Sequence, residues 1–322
     1  MIRGPLIAVA GALVLTGCMK DELPVPAAPR GDAQTVQLCL GAGYQDQLWF
    51  DLGTAAVVQH NPRSAWDLAF ESAPGGWRVM LNGARLMSAW NIGNVDLGSV
   101  QDTIGMFNGR RIDAPSGRSD STAIGDWRGT DAVIVIDLGV NASGFPIGQR
   151  KVRFQSVGPD GYVFSSAWLD GSDLRTTEVS KDPTRTFSYF SFGNGAVPIG
   201  PPRGEWDLVF TQYTHQFYEP YIPYLVAGAL IDGTTTRVAR IDGKDLDAVT
   251  LSDTLNDPFE TRRNTIGYDW KTYSFETSSY TVEPGIVYII EDADGWFYKL
   301  RFLEFYGPQG QTGCPAFEVE RM

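Results

Sequence analysis

Near the C-terminus, apolar and polar positions alternate along the chain. Trp296, Tyr298, Leu300 and Phe302 fall on one face of an extended segment and Lys299 and Arg301 on the other. That is the period-two pattern of a half-buried strand. Val287-Tyr288-Ile289-Ile290 precedes it as an aromatic and β-branched run. Between the two lies Glu291-Asp292-Ala293-Asp294-Gly295, whose Asp-Gly step predicts a hairpin. Short runs of this kind, separated by Gly, Pro, Asn and Asp, recur along the whole chain, and helical heptads do not. The pattern predicts an all-β protein of antiparallel strands, a sandwich or curved sheet rather than an α/β fold.

The runs also recur in order. Trp49-Phe50-Asp51-Leu52-Gly53 is answered by Tyr189-Phe190-Ser191-Phe192-Gly193, and Trp66-Asp67-Leu68-Ala69-Phe70 by Trp206-Asp207-Leu208-Val209-Phe210. Ile124-Gly125-Asp126-Trp127 is answered by Ile266-Gly267-Tyr268-Asp269-Trp270, and the apolar run 132–136 by 286–290. Lys151-Val152-Arg153-Phe154 is answered by Lys299-Leu300-Arg301-Phe302, with Gly-Pro following each. A conserved order at a nearly constant offset is the mark of an internal repeat. We therefore expect two tandem β domains, 36–175 and 185–322, with insertions in their loops. The Trp-Asp pairs read as structural: a buried indole needs a partner for its N–H, and the carboxylate can cap a turn.

The N-terminus has a different character. Arg3 is followed by the apolar run Leu6–Leu15 and then by Leu15-Thr16-Gly17-Cys18. The run is shorter than the roughly 20 residues needed to span a bilayer and reads as the core of a signal peptide. Leu-Thr-Gly-Cys resembles the lipobox of bacterial lipoproteins. The resemblance implies a signal peptide over 1–17 and acylation of Cys18, with stable anchoring once two chains are attached. Met19-Lys20-Asp21-Glu22 is similar to the export signal that carries Bacteroidota lipoproteins to the outer face of the outer membrane. Leu23–Arg30, with Pro24, Pro26 and Pro29, completes an anchor and stiff spacer over 18–35.

Charge and cysteine use narrow the partners. With 38 acidic and 26 basic residues the formal net charge is −12, a poor match for nucleic acid or anionic headgroups. No nucleic-acid partner is expected. Once Cys18 is acylated only Cys39 and Cys314 remain, one near each end. An oxidising compartment permits a disulfide that clasps the first strand to the last, and two free thiols are the alternative. No catalytic motif stands out: there is no His-Glu-x-x-His, Gly-x-Ser-x-Gly, phosphate loop or Cys-x-x-Cys. Asp292-x-Asp294-Gly295 lacks the other ligands of a calcium loop and reads as a turn. The expectation is a binding protein, neither enzyme nor metal carrier of these known types.

Two longer strings are more specific. Trp206-Asp207-Leu208-Val209-Phe210-Thr211-Gln212-Tyr213-Thr214, followed by Pro223-Tyr224-Leu225-Val226-Ala227-Gly228, resembles the HmuY family. So do Ile266–Lys271, Val287–Ile290 and Phe297–Phe302, closely over 185–322 and more faintly over the first copy. The resemblance implies two tandem HmuY-like domains and a lipid-anchored surface protein. It also implies capture of haem or a related porphyrin for a TonB-dependent outer-membrane transporter. Haem iron takes axial ligands such as His, Met or Tyr. The candidates here are His215, His60, Met80 and Met87, with Tyr213, Phe217 and Tyr218 as aromatic binding surface. His215 is the first choice, because it follows the second Trp-Asp strand among aromatics. His60 lies in the predicted loop Gln59–Pro62. Two other readings stay open: a surface module that stacks glycans on these tyrosines and Tyr221 and Tyr224, or an assembly lipoprotein without a small ligand.

Overall fold

The strands form as the alternation predicts, but many of them are buried on both faces. The computed structural model describes residues 31–322, which make one compact unit. The expected signal peptide, Cys18 and the spacer up to residue 30 lie outside the described residues. Among the described residues the regular structure is strand and short 3-10 turn, with no α-helix. The strands pair antiparallel throughout, and the protein is all-β.

Four of the sheets stack in layers. One outer sheet runs Arg175–Ser180, Gly161–Trp168, Gln149–Val157, Val133–Asp137, Ser88–Gly93, and packs on an inner sheet of Gly195–Val197, Phe187–Ser191, Leu68–Glu71 and Val79–Leu81. The second inner sheet holds Tyr221–Ile231, Leu208–Tyr218, Asp46–Asp51 and Ala56–Pro62. The second outer sheet holds Gln34–Gln37, Thr312–Arg321, Phe297–Tyr306, Ile286–Glu291 and Arg237–Asp242. Alternation then sorts side chains between cores. Leu68 and Phe70 meet Val152 and Phe164 on one side, while Ala69 meets Trp66 and Tyr189 on the other. Leu48 and Phe50 face Leu300 and Phe317, while Trp49 lies between the inner sheets. Antiparallel sheets commonly leave one face to water. The strands Asp46–Asp51 and Leu68–Glu71 of these inner sheets leave neither, which is why Leu48-Trp49-Phe50 and Leu68-Ala69-Phe70 are continuous apolar runs.

The inner sheets are also where the two stretches of sequence cross. Asp46–Asp51 pairs with Leu208–Tyr218, Phe50 opposite Leu208. Phe187–Ser191 pairs with Leu68–Glu71, Phe190 opposite Leu68. The two Trp-Asp pairs hold this crossing in matching ways. The Asp67 carboxylate accepts from Phe192 N–H at 2.7 Å, and that of Asp207 accepts from Leu52 N–H at 2.9 Å. Other repeated landmarks also fall in matched places. Trp127 lies against Phe154 with ring centroids 5.0 Å apart, and Trp270 stacks on Phe302 at 3.7 Å.

One expectation is corrected on the outer faces. The alternation puts Lys299 with Arg301 on the polar face, but a covering segment around Leu246 and Val249 buries it. Its Nζ donates to Leu246 O at 3.2 Å and meets Glu320 at 3.1 Å. Lys151 is buried in the same way and donates to Val100 O at 2.7 Å. An ammonium can be buried only with such partners, and two adjacent residues in sequence give no sign of a distant cover.

Cys39 and Cys314 are joined in a disulfide across a sequence separation of 275, beside the pairing of Gln34–Gln37 with Thr312–Arg321. Closing so long a loop restricts the unfolded chain, an effect of about 2–4 kcal/mol for typical disulfides. Cys39→Ser with Cys314→Ser is expected to lower stability by about that amount, read as a lower urea midpoint. An unchanged midpoint would mean that the strand pairing alone holds the ends.

The matched aspartates differ in charge balance. Asp67 pairs with Arg85, whereas Asp207 has only Leu52 N–H and the Thr236 hydroxyl at 3.2 Å. Burial pushes Asp207 up to about 7, helped by Asp292 and Asp51 and opposed by the Leu52 hydrogen bond. A carboxyl whose pKa is raised on folding stabilises fully below its ordinary value, and that contribution is lost as pH rises through the folded one. Asp207 therefore favours the fold below about pH 4 and loses this between pH 4 and 7. Asp207→Asn should flatten the stability profile across that window, compared by urea midpoints at several pH values. Parallel profiles for the two proteins would contradict the assignment.

Candidate functional site

The hairpin Leu208–Tyr218 and Tyr221–Ile231 has eleven residues in each strand. Only Leu208–Phe210 pairs with the neighbouring strand Asp46–Asp51, so the outer part of the hairpin extends past it. Alternation puts Val209, Tyr213, His215 and Phe217 on one face. Val209 and Tyr213 are buried between the inner sheets, and Phe217 packs at the edge of that core. His215 comes between them and is half-buried. Its ring lies 4.8 Å from Phe217 and 4.9 Å from Tyr268, centroid to centroid.

His215 opens on a cavity of about 450 Å³ whose walls include Tyr213, Arg240, Asn264, Tyr268 and Asp269, within the size range of small-molecule sites. Three buried polar atoms on these walls have no protein partner: the Tyr213 hydroxyl, His215 Nδ1 and Asn264 Oδ1. Buried polar groups are nearly always paired, so three unpaired atoms around one cavity favour a polar occupant, whether ordered water or a guest. Burial lowers the pKa of His215, opposed by Asp269, which leaves the imidazole neutral at pH 7 and its lone pair free for a metal. Burial holds the Tyr213 phenol well above its ordinary range, so it remains a donor. Asp269 is itself occupied by Arg240 at 2.7 Å.

The segment carrying Tyr268 is held from below. Lys271 donates to Tyr268 O at 3.2 Å and to Ala227 O at 2.6 Å, with its Nζ 4.2 Å from the Trp270 ring centre. Gly267 has φ +67°, and a Cβ on the facing Gly228 would come within 2.2 Å of Gly267 O. The two backbones can approach this closely only because Gly228 has no side chain.

Of the proposed iron ligands, the fold brings only His215 to this cavity. His60 lies in the strand Ala56–Pro62 opposite Leu48, not in a loop, with its Nε2 2.9 Å from Asp46. Met80 alternates with Val79 and Leu81, so its thioether points between the inner sheets among Trp49 and Trp66. Met87 is packed in the core with Phe70 and Ile136. Neither thioether has room for a porphyrin beside it. The proposed aromatic surface also divides: Tyr213 is buried and Phe217 half-buried. Tyr218 is 75% exposed, beside Tyr221 at 76%.

The sequence pattern does not single out Tyr268, Asn264 and Arg240, which the fold brings to the cavity walls. A signal for Tyr268 was present, since Ile266-Gly267-Tyr268-Asp269-Trp270 carries one residue more than Ile124-Gly125-Asp126-Trp127. The extra residue is the one that lies on His215. The residues present fit a haem held through one histidine: a neutral imidazole and the rings of Phe217 and Tyr268, with Arg240 and Arg262 on the walls but paired with Asp269 and Glu260. None of the other candidates supplies a second ligand.

Several solved structures are similar to this chain. Apo PinO from Porphyromonas gingivitis is 10% identical, covering 90% of this chain and 97% of that chain, with a TM-score of 0.33. The apo HmuY analog TFO from Tannerella forsythia is 8% identical, covering 92% and 99%, with a TM-score of 0.32. No curated protein matches the chain. The family model for HmuY protein matches residues 43–319, and with that match spanning most of its length the chain belongs to the HmuY family.

Proposed function

We propose that this protein binds haem, or a closely related porphyrin, in the cavity beside His215. In this reading it acts as a binding protein and not as an enzyme. The observation that carries the reading is the half-buried, neutral imidazole facing a cavity with three unpaired polar atoms. Membership of a haem-binding family supports it. When bound, haem supplies iron as a Lewis acid for the imidazole lone pair. His215 would hold the iron, Phe217 and Tyr268 would offer their rings, and Arg240 and Arg262, paired with Asp269 and Glu260, would stand on the walls. Cys18 would tether the protein to the exterior face of the outer membrane, from which haem would pass to a TonB-dependent transporter.

A visible-absorption titration of the mature protein with haemin tests the binding step. A saturable one-to-one Soret shift is expected. No saturable shift in either the oxidised or the reduced state would overturn the reading. A second reading, glycan binding, draws on the exposed Tyr218, Tyr221 and Tyr224 along the same hairpin. Binding on a glycan array without a Soret shift would select it.

A further inference from the structure

A second cavity, of about 700 Å³, lies where the loop before Val79–Leu81 meets the segment 259–263. Four arginines line it, Arg78, Arg118, Arg262 and Arg263, in a chain whose net charge is −12. Arg118 and Arg262 have acidic neighbours of their own, Asp120 and Glu260. Arg78 and Arg263 are different. Both guanidiniums approach the ring of Phe187, at 5.1 and 6.0 Å from its centre.

The nearby carboxylates do not balance this pair. Glu71 reaches Arg78 only at 3.4 Å and also accepts from the backbone of Trp77 and Arg78. Arg78 Nη1 donates to Gly117 O, and its Nε is buried without a partner. Among the described residues no carboxylate lies within 4 Å of a charged atom of Arg263. Asp113 is buried and occupied by Leu81 N–H and Ala123 N–H, both at 2.6 Å. Asp232, on the cavity wall, is taken up by Thr186 and Thr234. Arg263 is nevertheless built into place: it crosses Gly117, where a Cβ would meet its Cδ at 2.5 Å.

Two guanidiniums on one ring with a single carboxylate, held by Arg78, leave the charge of Arg263 unbalanced, and a guanidinium binds carboxylate, sulfate or phosphate oxygens bidentately. We infer that this cavity is a binding site for a small dianion carried on an apolar ring, one oxyanion group on the free guanidinium of Arg263, the other in the field of Arg78, and the ring toward Phe187. The site adjoins the His215 cavity, with Glu260 and Arg262 on the walls of both, and does not depend on haem being the guest there.

The probe is 4-fluorophthalate, followed by ¹⁹F NMR with the full mature protein, against the neutral 4-fluorophthalamide. Saturable binding of the dianion alone is expected. It should weaken at least tenfold in Arg263→Gln, whose side chain is half-exposed, and stay unchanged in His215→Ala. Arg263→Lys should restore little, because one ammonium cannot replace a fork of donors. Absence of saturable dianion binding to the unaltered protein, equal binding of the amide, or full binding by Arg263→Gln would each overturn the inference.

Discussion

Asp67→Ala is expected to lower stability by about 3–5 kcal/mol, the cost of leaving a buried charge without its partner. Asp67 pairs with Arg85, and both side chains are more than nine-tenths buried. The same carboxylate accepts from Phe192 N–H, so its loss strands a cation and a backbone donor together. Arg85 has little to fall back on, because its Nε already lacks a partner. A loss of this size takes much of the roughly 5–15 kcal/mol that holds a typical protein folded. Asp207→Ala, at the matched place, orphans Leu52 N–H and Thr236 but no cation, and should cost less, about 1–3 kcal/mol. Urea denaturation at pH 7 gives the order. Equal losses, or a larger one at Asp207, would mean that the Asp67–Arg85 pair is not what fixes the crossing strands.

The second large effect belongs to the binding site. His215→Ala should reduce haemin affinity at least tenfold, about 1.4 kcal/mol or more, and alter the Soret band of whatever haemin remains bound. His215 lies toward the outer part of the hairpin and is half-buried, so the fold should survive, and an unchanged far-UV spectrum would confirm that. Burial lowers the pKa of His215, so a proton competes with iron only below the ordinary histidine value of 6.5. Binding should therefore hold at pH 6.5 and weaken under stronger acid. His60→Ala should leave the affinity unchanged, because His60 is committed to Asp46 outside the cavity. An effect of His60→Ala equal to that of His215→Ala would place the iron elsewhere.

Much of the fold was legible in the sequence, for physical reasons that can be named. Period-two runs such as Phe297–Phe302 predicted strands, and Asp-Gly predicted the turn between Ile286–Glu291 and Phe297–Tyr306. The recurring Trp-Asp pairs pointed to structural positions, and they hold strand ends. What the pattern could not carry was pairing at long range. Nothing local in Trp49-Phe50-Asp51 says that it lies beside Leu208-Val209-Phe210, since either face of a doubly buried strand is apolar. Lys299 reads as a solvent residue until Leu246, 53 positions away, is known to cover it. At the site, His215 could be picked out by its aromatic neighbours, whereas Asn264 and Arg240 come from other segments. The methionines misled because a thioether suits a core as well as it suits iron.

The central claim is that haem sits on His215 in the cavity bounded by Tyr213 and Tyr268. The most direct test is a crystal structure of the mature protein grown with stoichiometric haemin. The account predicts porphyrin density in that cavity, with the iron bonded to an imidazole nitrogen of His215. Porphyrin bound at any other residue, or an empty cavity under saturating haemin, would contradict it.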